Sequence, residues 1–288
     1  MVQPSKPLLS KAMPSLERPI SQLVTAEQIR RPEFDRWRVK LGMRPGLNRK
    51  LWEYVYIARA LEAHLDFAQR PSLLGFGVGK ERLPAALAAA GCNITATDFA
   101  EASEQVNPQW SARDRADLLT PSDTDWDPAL RHIPLCDPAV FDQAVSFRVV
   151  DMNNIPSNLR DFDGLWSCGS LEHIGGLAAG ADFIKASLSC LKPGGIAVHT
   201  TEYNLSSDTS TWEDPHLCFY RKRDILALVA ELRAAGHAIE LTLEREDTLE
   251  NTDVDRPPFH YDFTMNAQHG LFVITSIGLI IRKGGSSS

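Results

Sequence analysis

Three glycines stand at alternate positions in the stretch LLGFGVGKERLP, residues 73–84, where an apolar segment gives way to a helical one. Gly75, Gly77 and Gly79 offer no side chains to pack, and glycine loses more backbone freedom on folding than any other residue. A glycine-rich turn between a strand and a helix lets a ligand lie against bare backbone at the carboxyl edge of a sheet. The turn therefore predicts a ligand site.

Three known glycine loops compete for this segment. A phosphate-binding P-loop requires GxxxxGK[ST], but Glu81 follows Lys80 and Leu74 takes the first glycine position, so that loop is excluded. The dinucleotide fingerprint GxGxxG requires a glycine where the chain has Lys80, which weakens that interpretation and leaves it open. The pattern GxGxG fits without adjustment.

Polar side chains close several of the predicted strands. The segment CNITATD ends in Asp98, VSFRVVD ends in Asp151, and HTTEYN brings Glu202, Tyr203 and Asn204 to the end of a later strand. The carboxyl ends of parallel strands share one edge of a sheet, which is where ligands bind in such folds. A carboxylate suits a ribose diol because it accepts two hydrogen bonds at once.

At these residues the chain resembles the class I S-adenosylmethionine-dependent methyltransferases, over roughly residues 70–283. The resemblance implies that the glycine turn wraps the methionine end of the cofactor and that Asp98 binds its ribose hydroxyls. It also implies that Asp151 meets the adenine amine, with Met152 beside the ring. The cofactor residues predicted in this way are Gly75, Phe76, Gly77, Gly79, Asp98, Phe99, Asp151, Met152 and Gly169.

Two further segments carry the resemblance, and one position departs from it. Leu171-Glu172-His173 matches the LEH that often ends the fourth strand of the family, and Leu191–Gly195 matches the LKPGG turn before its fifth strand. The family usually has an acid two residues before the first glycine, where this chain has Leu73. Backbone carbonyls near Gly75 or Gly169 are the candidate replacements for its contact with the cofactor's amino group.

Catalytic candidates are expected beside the fourth and fifth strands. His173 is the preferred general base, because an imidazole of ordinary pKa accepts protons near neutral pH. The structural alternative is that His173 caps the next helix or orders Glu172. Glu172 is a candidate to orient that imidazole or to contact substrate, and Glu202 is a candidate on the substrate side. A solvated surface acid is the structural alternative for Glu172.

Substrate contacts are predicted from two segments. Asn204 and Tyr203 follow Glu202, and the segment NTDVDRPPFHYDF, residues 251–263, offers His260 and Asp262. A rigid proline-rich surface loop is the alternative for the second segment. The acids are scattered over separate loops and define no coordination set, so no metal is predicted.

The elements that must position these residues alternate between strand and helix. This alternation predicts a doubly wound α/β domain over residues 70–283, with a mainly parallel seven-stranded sheet. The segment HAIELTLE is the predicted sixth strand and LFVITSIGLIIRK an antiparallel last strand. Residues 1–69 are predicted to form an N-terminal helical cap, with an apolar helical stripe from Leu51 to Ala68, and residues 284–288 a flexible tail.

Composition narrows the class of protein. The 288 residues are 43% hydrophobic and 23% charged, a globular balance, and the net charge of -7 provides no general attraction to nucleic acid or anionic membranes. Five scattered cysteines without a CxxC pair, a poor signal sequence and no apolar run long enough to span a bilayer predict a cytoplasmic protein.

Taken together, the sequence predicts a methyltransferase that uses S-adenosylmethionine. The expected acceptor is a hydroxyl or amine of a small polar molecule of sugar or natural-product type, with no nucleic-acid or membrane partner; a homo-oligomer is compatible with the sequence. Two alternatives are a non-catalytic cofactor-binding regulatory module and a methyltransferase acting on a macromolecule. The DNA amine-methylating motif [DNS]PP[FYW] is absent after the fourth strand, since RPPF lies about ninety residues later.

Overall fold

The computed structural model describes residues 7–99, 119, 134–260 and 263–285. The strands in chain order are β1 (Gln22–Leu23), β2 (Leu47–Asn48), β3 (Ser72–Phe76), β4 (Asn93–Asp98), β5 (Val145–Val149), β6 (Phe162–Cys168), β7 (Leu191–Asn204), β8 (Glu213–Asp214), β9 (Leu217–Cys218), β10 (Phe263–Thr264), β11 (Ala267–His269) and β12 (Phe272–Arg282). The helices are α1 (Ala26–Ile29), α2 (Pro32–Lys40), α3 (Arg49–His64), α4 (Leu83–Ala89), α5 (Pro138–Ala144), α6 (Leu177–Ser187), α7 (Lys222–Ala234) and α8 (Leu249–Thr252).

The central sheet has the order β1-β12-β7-β6-β3-β4-β5. The five strands from β7 to β5 are parallel to their neighbours, and β12 runs antiparallel to β7 over nine paired positions. Strand β11 adds a short antiparallel pairing to β12. The predicted doubly wound sheet with an antiparallel last strand is therefore confirmed.

Helices cover both faces of the sheet. Residues of α3 and α4 pack with Trp166 and Ile280 in one buried cluster. Residues of α6 and α7 pack with Phe76 and Leu165 in a second cluster on the other face. Burying an apolar surface on each side of a sheet is what makes a parallel arrangement stable.

Helix α3 forms where the apolar stripe predicts a helix. The side chain of Asn48 caps it by accepting a hydrogen bond from the Lys50 N–H at 2.8 Å. Leu51, Val55 and Leu61 on the predicted stripe are buried. This packing fixes the first turn of α3 above the carboxyl ends of β6 and β7.

The predicted sixth strand is wrong in its pairing. Residues 237–244 form only isolated bridges, from Ala238 to Arg282 and from Leu241 to Ser21. Strand β1 of the N-terminal segment takes the edge position beside β12 instead, with Gln22 opposite Gly278 and Leu23 opposite Ile277. The hydroxyl of Ser21 continues this edge by accepting a hydrogen bond from the Ile280 N–H at 2.9 Å.

The predicted LKPGG turn lies inside the bounds of β7. The β6–β7 register jumps from Phe162 opposite Leu191 to Gly164 opposite Ile196, so residues 192–195 are looped out of the ladder. Gly194 has a φ of +79° at this point, a conformation that glycine adopts without strain.

A network of buried amides joins the N-terminal segment to α3. Gln28 accepts a hydrogen bond from the Trp52 indole N–H at 2.6 Å and another from the Gln22 amide at 3.0 Å. The amide of Gln28 also donates to the Leu23 carbonyl at 2.9 Å. The N-terminal segment therefore contributes both a strand and core contacts to the main domain. In the described part of the chain, no helix has the length and apolar content needed to cross a membrane.

Candidate active site

The glycine turn follows β3 and is tied to the end of β4. Gly77 and Gly79 have φ values of +60° and +47°, which favour glycine. The Gly79 N–H donates to the Asp98 carboxylate at 3.0 Å. A Cβ added to Gly79 would find only this carboxylate within 4 Å, so the backbone of the turn is open on that side.

The first glycine serves the protein core rather than an open surface. A Cβ on Gly75 would overlap the indole ring of Trp166 and the side chain of Val78. Phe76 is fully buried and packs edge-on against Phe183 at 5.1 Å between ring centroids. Gly75 and Phe76 therefore offer a ligand only their backbone, which differs from the expectation that all three glycines make room for it.

The other predicted cofactor residues gather at the same edge. The Asp98 carboxylate accepts a second hydrogen bond from the Phe99 N–H at 2.8 Å, and the Phe99 ring is exposed. Asp151 follows β5 and accepts from the Asn153 N–H at 2.8 Å. The sulfur of Met152 lies 3.4 Å from the position of a Cβ on Gly77. These contacts place Met152 against the glycine turn.

Gly169, which follows β6, is surrounded by charged side chains. Its φ of +55° is left-handed, and its N–H donates to the Thr200 carbonyl at 3.2 Å. A Cβ at this position would lie 3.3 Å from Glu53, 3.4 Å from Lys50 and 3.5 Å from Glu172. Gly169 thus connects the glycine-turn edge with a group of ionisable residues.

These residues form a charged cluster, defined here as Arg49, Lys50, Glu53, Glu172 and Glu202. The residues of this cluster are buried except Lys50, whose side chain is 45% exposed. The Glu202 carboxylate forms salt bridges with Arg49 at 2.7 Å and with Lys50 at 2.8 Å, and Lys50 forms a second salt bridge with Glu53 at 3.0 Å. Hydroxyl groups of Ser276 and Thr200 donate to Glu53 at 2.5 and 3.1 Å. Three carboxylates thus face two cations.

Glu172 is the acid that this network balances least. Its Oε2 accepts from the Thr201 hydroxyl at 2.9 Å, whereas its Oε1 has no hydrogen-bond partner within the described part of the chain. Burial, at 1% exposure, together with Glu202 and Glu53, raises the pKa of Glu172 to about 7, against the opposing effect of Lys50. Glu172 is therefore buried, not a solvated surface acid, and can exchange a proton near neutral pH.

Glu202 has the opposite electrostatic environment. Burial would raise its pKa, but Lys50 and Arg49 lower the pKa of Glu202 to about 2. A carboxylate of that pKa is a weak proton acceptor at neutral pH. The geometry favours Glu202 as an ionic anchor over the predicted catalytic role.

His173 lies in a 3₁₀ turn, Leu171–His173, next to the cluster. Its Nδ1 lies 2.6 Å from the His216 carbonyl, so Nδ1 carries the proton and Nε2 is left with the lone pair. Nε2 lies 4.0 Å from the unpartnered Oε1 of Glu172, and the side chain is 53% exposed. The imidazole has the tautomer that a base needs, and its catalytic role stays a prediction.

His199 is a fully buried residue of β7, the strand that also carries Glu202. Its Nδ1 shares a hydrogen bond with the Ser167 hydroxyl at 2.8 Å, and burial lowers the pKa of His199 to about 3. The imidazole therefore stays neutral and has a structural role in the core of the sheet.

A cavity of about 360 Å³, called the side cavity below, opens between the first turn of α3, the end of β7 and the β9, β11 and β12 strands. Arg49, Lys50 and Glu202 line one end of it. A larger cavity of about 570 Å³ lies at the opposite edge of the sheet, near Ile196 and Arg282, away from the glycine turn. Of these two cavities, the side cavity is the one that shares residues with the charged cluster.

Of the predicted substrate residues, Asn204, Tyr203 and His260 do not line the side cavity. Asn204 uses its side chain to hold the following loop, donating to Thr211 at 3.2 Å and accepting from the Ser206 N–H at 2.9 Å. Tyr203 is buried in the second core cluster, and burial raises its pKa to about 12. His260 bonds Asp255 at 3.0 Å and points largely into solvent. Asp262 lies outside the described residues.

Sequence reasoning missed the contribution of α3 to this site. Arg49, Lys50 and Glu53 precede or interrupt the apolar stripe, so periodicity treats them as a polar helix face. The informative signal is their spacing, since Arg49 and Glu53 are four residues apart on one face. Within the described residues, no group of three or more His, Cys, Asp or Glu side chains is arranged so that it could hold a metal ion.

The strand order, the antiparallel last strand and the glycine turn after β3 together define a class I methyltransferase fold. No protein-family model matches the chain, and no curated protein matches it.

Solved structures resemble this chain only distantly. A S-adenosylmethionine-dependent methyltransferase from Clostridium acetobutylicum is 15% identical, with a TM-score of 0.43 over 83% of this chain and 93% of that one. The CcbJ methyltransferase from Streptomyces caelestis is 13% identical, with a TM-score of 0.44 over 85% and 92%. A Burkholderia thailandensis 1,6-didemethyltoxoflavin-N1-methyltransferase is 17% identical, with a TM-score of 0.40 over 90% and 80%. The assignment of the fold here rests on the strand order.

Proposed function

We propose that the protein is a S-adenosylmethionine-dependent methyltransferase that acts on a hydroxyl or amine of a small polar acceptor. One observation carries the proposal: the open, left-handed backbone at Gly79 is hydrogen-bonded to the Asp98 carboxylate. This pairs a bare-backbone surface with a carboxylate that has further acceptor capacity for a diol. Asp151 lies at the end of the neighbouring strand.

The charged cluster fits the zwitterionic end of the same cofactor. The departure at Leu73 removes the usual acid, and Leu73 is buried in the core. The unpartnered Oε1 of Glu172 beside Gly169 offers an acceptor for an ammonium group, and Lys50, with a side chain 45% exposed, offers a partner for a carboxylate. Side chains from α3 and the 3₁₀ turn would then replace the missing contact.

When bound, S-adenosylmethionine supplies a methyl group on a positively charged sulfur, and transfer leaves a neutral thioether. The chain must align the acceptor's oxygen or nitrogen with that methyl group and take up its proton. His173 Nε2 would accept this proton, because Nδ1 is hydrogen-bonded to the His216 carbonyl. Its exposure allows the proton to pass on to water.

Calorimetric titration of the purified protein tests the proposal. S-adenosylmethionine and S-adenosylhomocysteine should bind, and NAD should not. Asp98→Ala should weaken binding of both at least about tenfold, because one hydrogen bond to a charged group is worth about 1.5–3 kcal/mol. Asp182→Ala, which removes an exposed aspartate of α6, is the matched control and should leave the affinity unchanged.

Tight binding of NAD with no heat from either adenosyl compound would overturn the assignment. Unchanged affinity in Asp98→Ala would remove Asp98 from the site. Binding without methyl transfer to any member of a broad acceptor panel would favour the regulatory-module alternative. Transfer only to a protein or nucleic acid would favour the macromolecular alternative.

A further inference from the structure

Most of the surface of the side cavity is apolar, although the polar residues Asn48, Thr264, Gln268 and His269 also line it. Leu217, Phe219, Ala267 and Ile274 line it, and Phe219, Ala267 and Ile274 also form a small buried cluster of their own. Phe259 stands at the cavity with 52% of its surface exposed. An exposed phenylalanine beside an apolar wall is a ready surface for ring stacking.

The end of the cavity toward α3 is polar and contains an unused donor. Arg49 is 7% exposed, and its Nη1 is occupied by Glu202 at 2.7 Å and Ser276 at 3.2 Å. Its Nε is buried and has no hydrogen-bond partner among the described residues. Buried donors without a partner are rare, since leaving one unpaired costs the full desolvation of the group. This donor calls for an oxygen acceptor from a ligand.

The cavity also adjoins the charged cluster, to which the zwitterionic end of the cofactor is assigned above. Lys50 and Glu202 belong both to its lining and to the charged cluster around Gly169. At about 360 Å³ the volume falls at the low end for ligand sites, which restricts it to a small acceptor.

We infer that the side cavity is the acceptor site and that it selects a small aromatic ring carrying an oxygen acceptor, rather than a sugar. This inference rests on the proposed function. A ring can lie against Phe219, Leu217 and Ile274 while its oxygen accepts from Arg49 Nε. A sugar would turn several hydroxyls toward those apolar side chains, and a buried hydroxyl without a partner is unfavourable.

Ligand-observed saturation-transfer NMR on the full chain with S-adenosylhomocysteine present tests the inference. The probes are 4-hydroxybenzamide, its saturated analogue 4-hydroxycyclohexanecarboxamide, and methyl β-D-glucopyranoside. We expect the aromatic probe to bind at least severalfold more tightly than the other two. Phe259→Ala and Arg49→Lys should each weaken its binding severalfold, the second because lysine keeps the charge and lacks the Nε donor.

Leu249→Ala is the matched control, because Leu249 is an exposed apolar residue of α8 outside the cavity lining. It should leave binding of the aromatic probe unchanged. Phe259→Ala keeps the test decisive if Arg49→Lys fails to fold, since Phe259 is largely exposed. Preferential binding of the glucoside, or aromatic binding that neither variant weakens, would overturn the inference.

Calorimetry of S-adenosylhomocysteine on the same samples separates the two proposals. If the adenosyl compound binds and the aromatic probe does not, the acceptor assignment fails and the proposed function stands. If the adenosyl compound itself does not bind, the proposed function fails, and the acceptor assignment fails with it.

Discussion

Glu172 combines burial, an unpartnered oxygen and two carboxylate neighbours in one side chain. Its folded-state pKa of about 7 lies above the ordinary value of 4.5, so the folded protein holds this proton more tightly than the unfolded chain does. The stability that this group contributes is complete below pH 4.5 and is lost as the pH rises through about 7. Glu202, with its pKa lowered to about 2, contributes stability that is complete above pH 4.5 and is lost as the pH falls toward 2.

Glu172→Gln should therefore flatten the pH dependence of stability between pH 5 and 8. We expect the free energy of unfolding of the parent protein to fall by about 1–3 kcal/mol across this range relative to the variant. Urea unfolding at half-unit pH steps measures the difference. The glutamine retains an oxygen for the Thr201 hydroxyl, so the comparison isolates the charge.

Glu244→Gln is the control, because it makes the same chemical change at an exposed position. A parent protein and a Glu172→Gln variant with parallel pH profiles would show that the Glu172 carboxyl is not held protonated by the cluster.

At the level of single residues, position at a strand end was informative. Asp98, Asp151, Gly169, Glu172 and His173 all lie at the predicted sheet edge, because parallel strands end together. The α3 residues of the charged cluster could not be found in this way. Apolar periodicity identifies the buried stripe of a helix, but it does not show which polar residue beside that stripe becomes buried against another element.

At the level of elements, the glycine turn and the looped-out segment of β7 share one backbone property. Gly77 and Gly194 both have positive φ, +60° and +79°. They differ in surroundings, since a Cβ on Gly77 would lie 2.8 Å from the Ser170 hydroxyl oxygen, whereas a Cβ on Gly194 would meet nothing within 4 Å. Substitutions at the two positions therefore distinguish the effect of backbone strain, which both share, from an effect on ligand binding, which is expected only at Gly77.

Gly77→Ala and Gly194→Ala should each destabilise the fold by about 1–2 kcal/mol through left-handed backbone strain. Only Gly77→Ala should also weaken binding of S-adenosylhomocysteine, by tenfold or more, because the turn must shift to relieve the contact with Ser170. Chemical unfolding and calorimetry on the two variants measure both effects. Equal affinities would mean that the turn does not contact the ligand.

Element prediction succeeded where the pattern is local. The buried stripe of α3 and the strand β12 follow directly from the pattern of apolar residues in their own segments. The prediction of the sixth strand was wrong although HAIELTLE has the alternating pattern of an edge strand. Its pairing depends on a segment that is distant in the sequence. Residues 21–23, more than two hundred positions away, occupy the place beside β12. No pattern within residues 237–244 indicates that another segment takes this place.

At the level of the whole molecule, the amide network around Gln28 holds the N-terminal segment to the domain. Gln28→Leu would leave the buried Trp52 indole N–H without its acceptor, whereas the Gln22 amide would keep the Ser15 carbonyl as an acceptor. Because a buried unpaired group costs about 1–3 kcal/mol, we expect a loss of stability of that size. That corresponds to a fall in Tm of about 2 °C or more for a chain of this size.

Gln69→Leu makes the same chemical change at an exposed position and should leave Tm within about 1 °C of the parent value. Scanning calorimetry of the three proteins provides the comparison. Equal Tm values for Gln28→Leu and the parent would show that the amide network contributes no net stability.

Strand β1 and strand β12 are neighbours in the sheet but are translated far apart in time. Roughly 250 residues separate Leu23 from Phe272, so at about 5–20 residues per second the earlier segment waits some tens of seconds for its partner. Until then the ribosome carries a chain whose first segment has no place in the sheet. The pairing of β1 with β12 is consequently a late step that joins residues far apart in the sequence. The delay before it gives a period in which a chaperone can bind the N-terminal segment of the nascent protein.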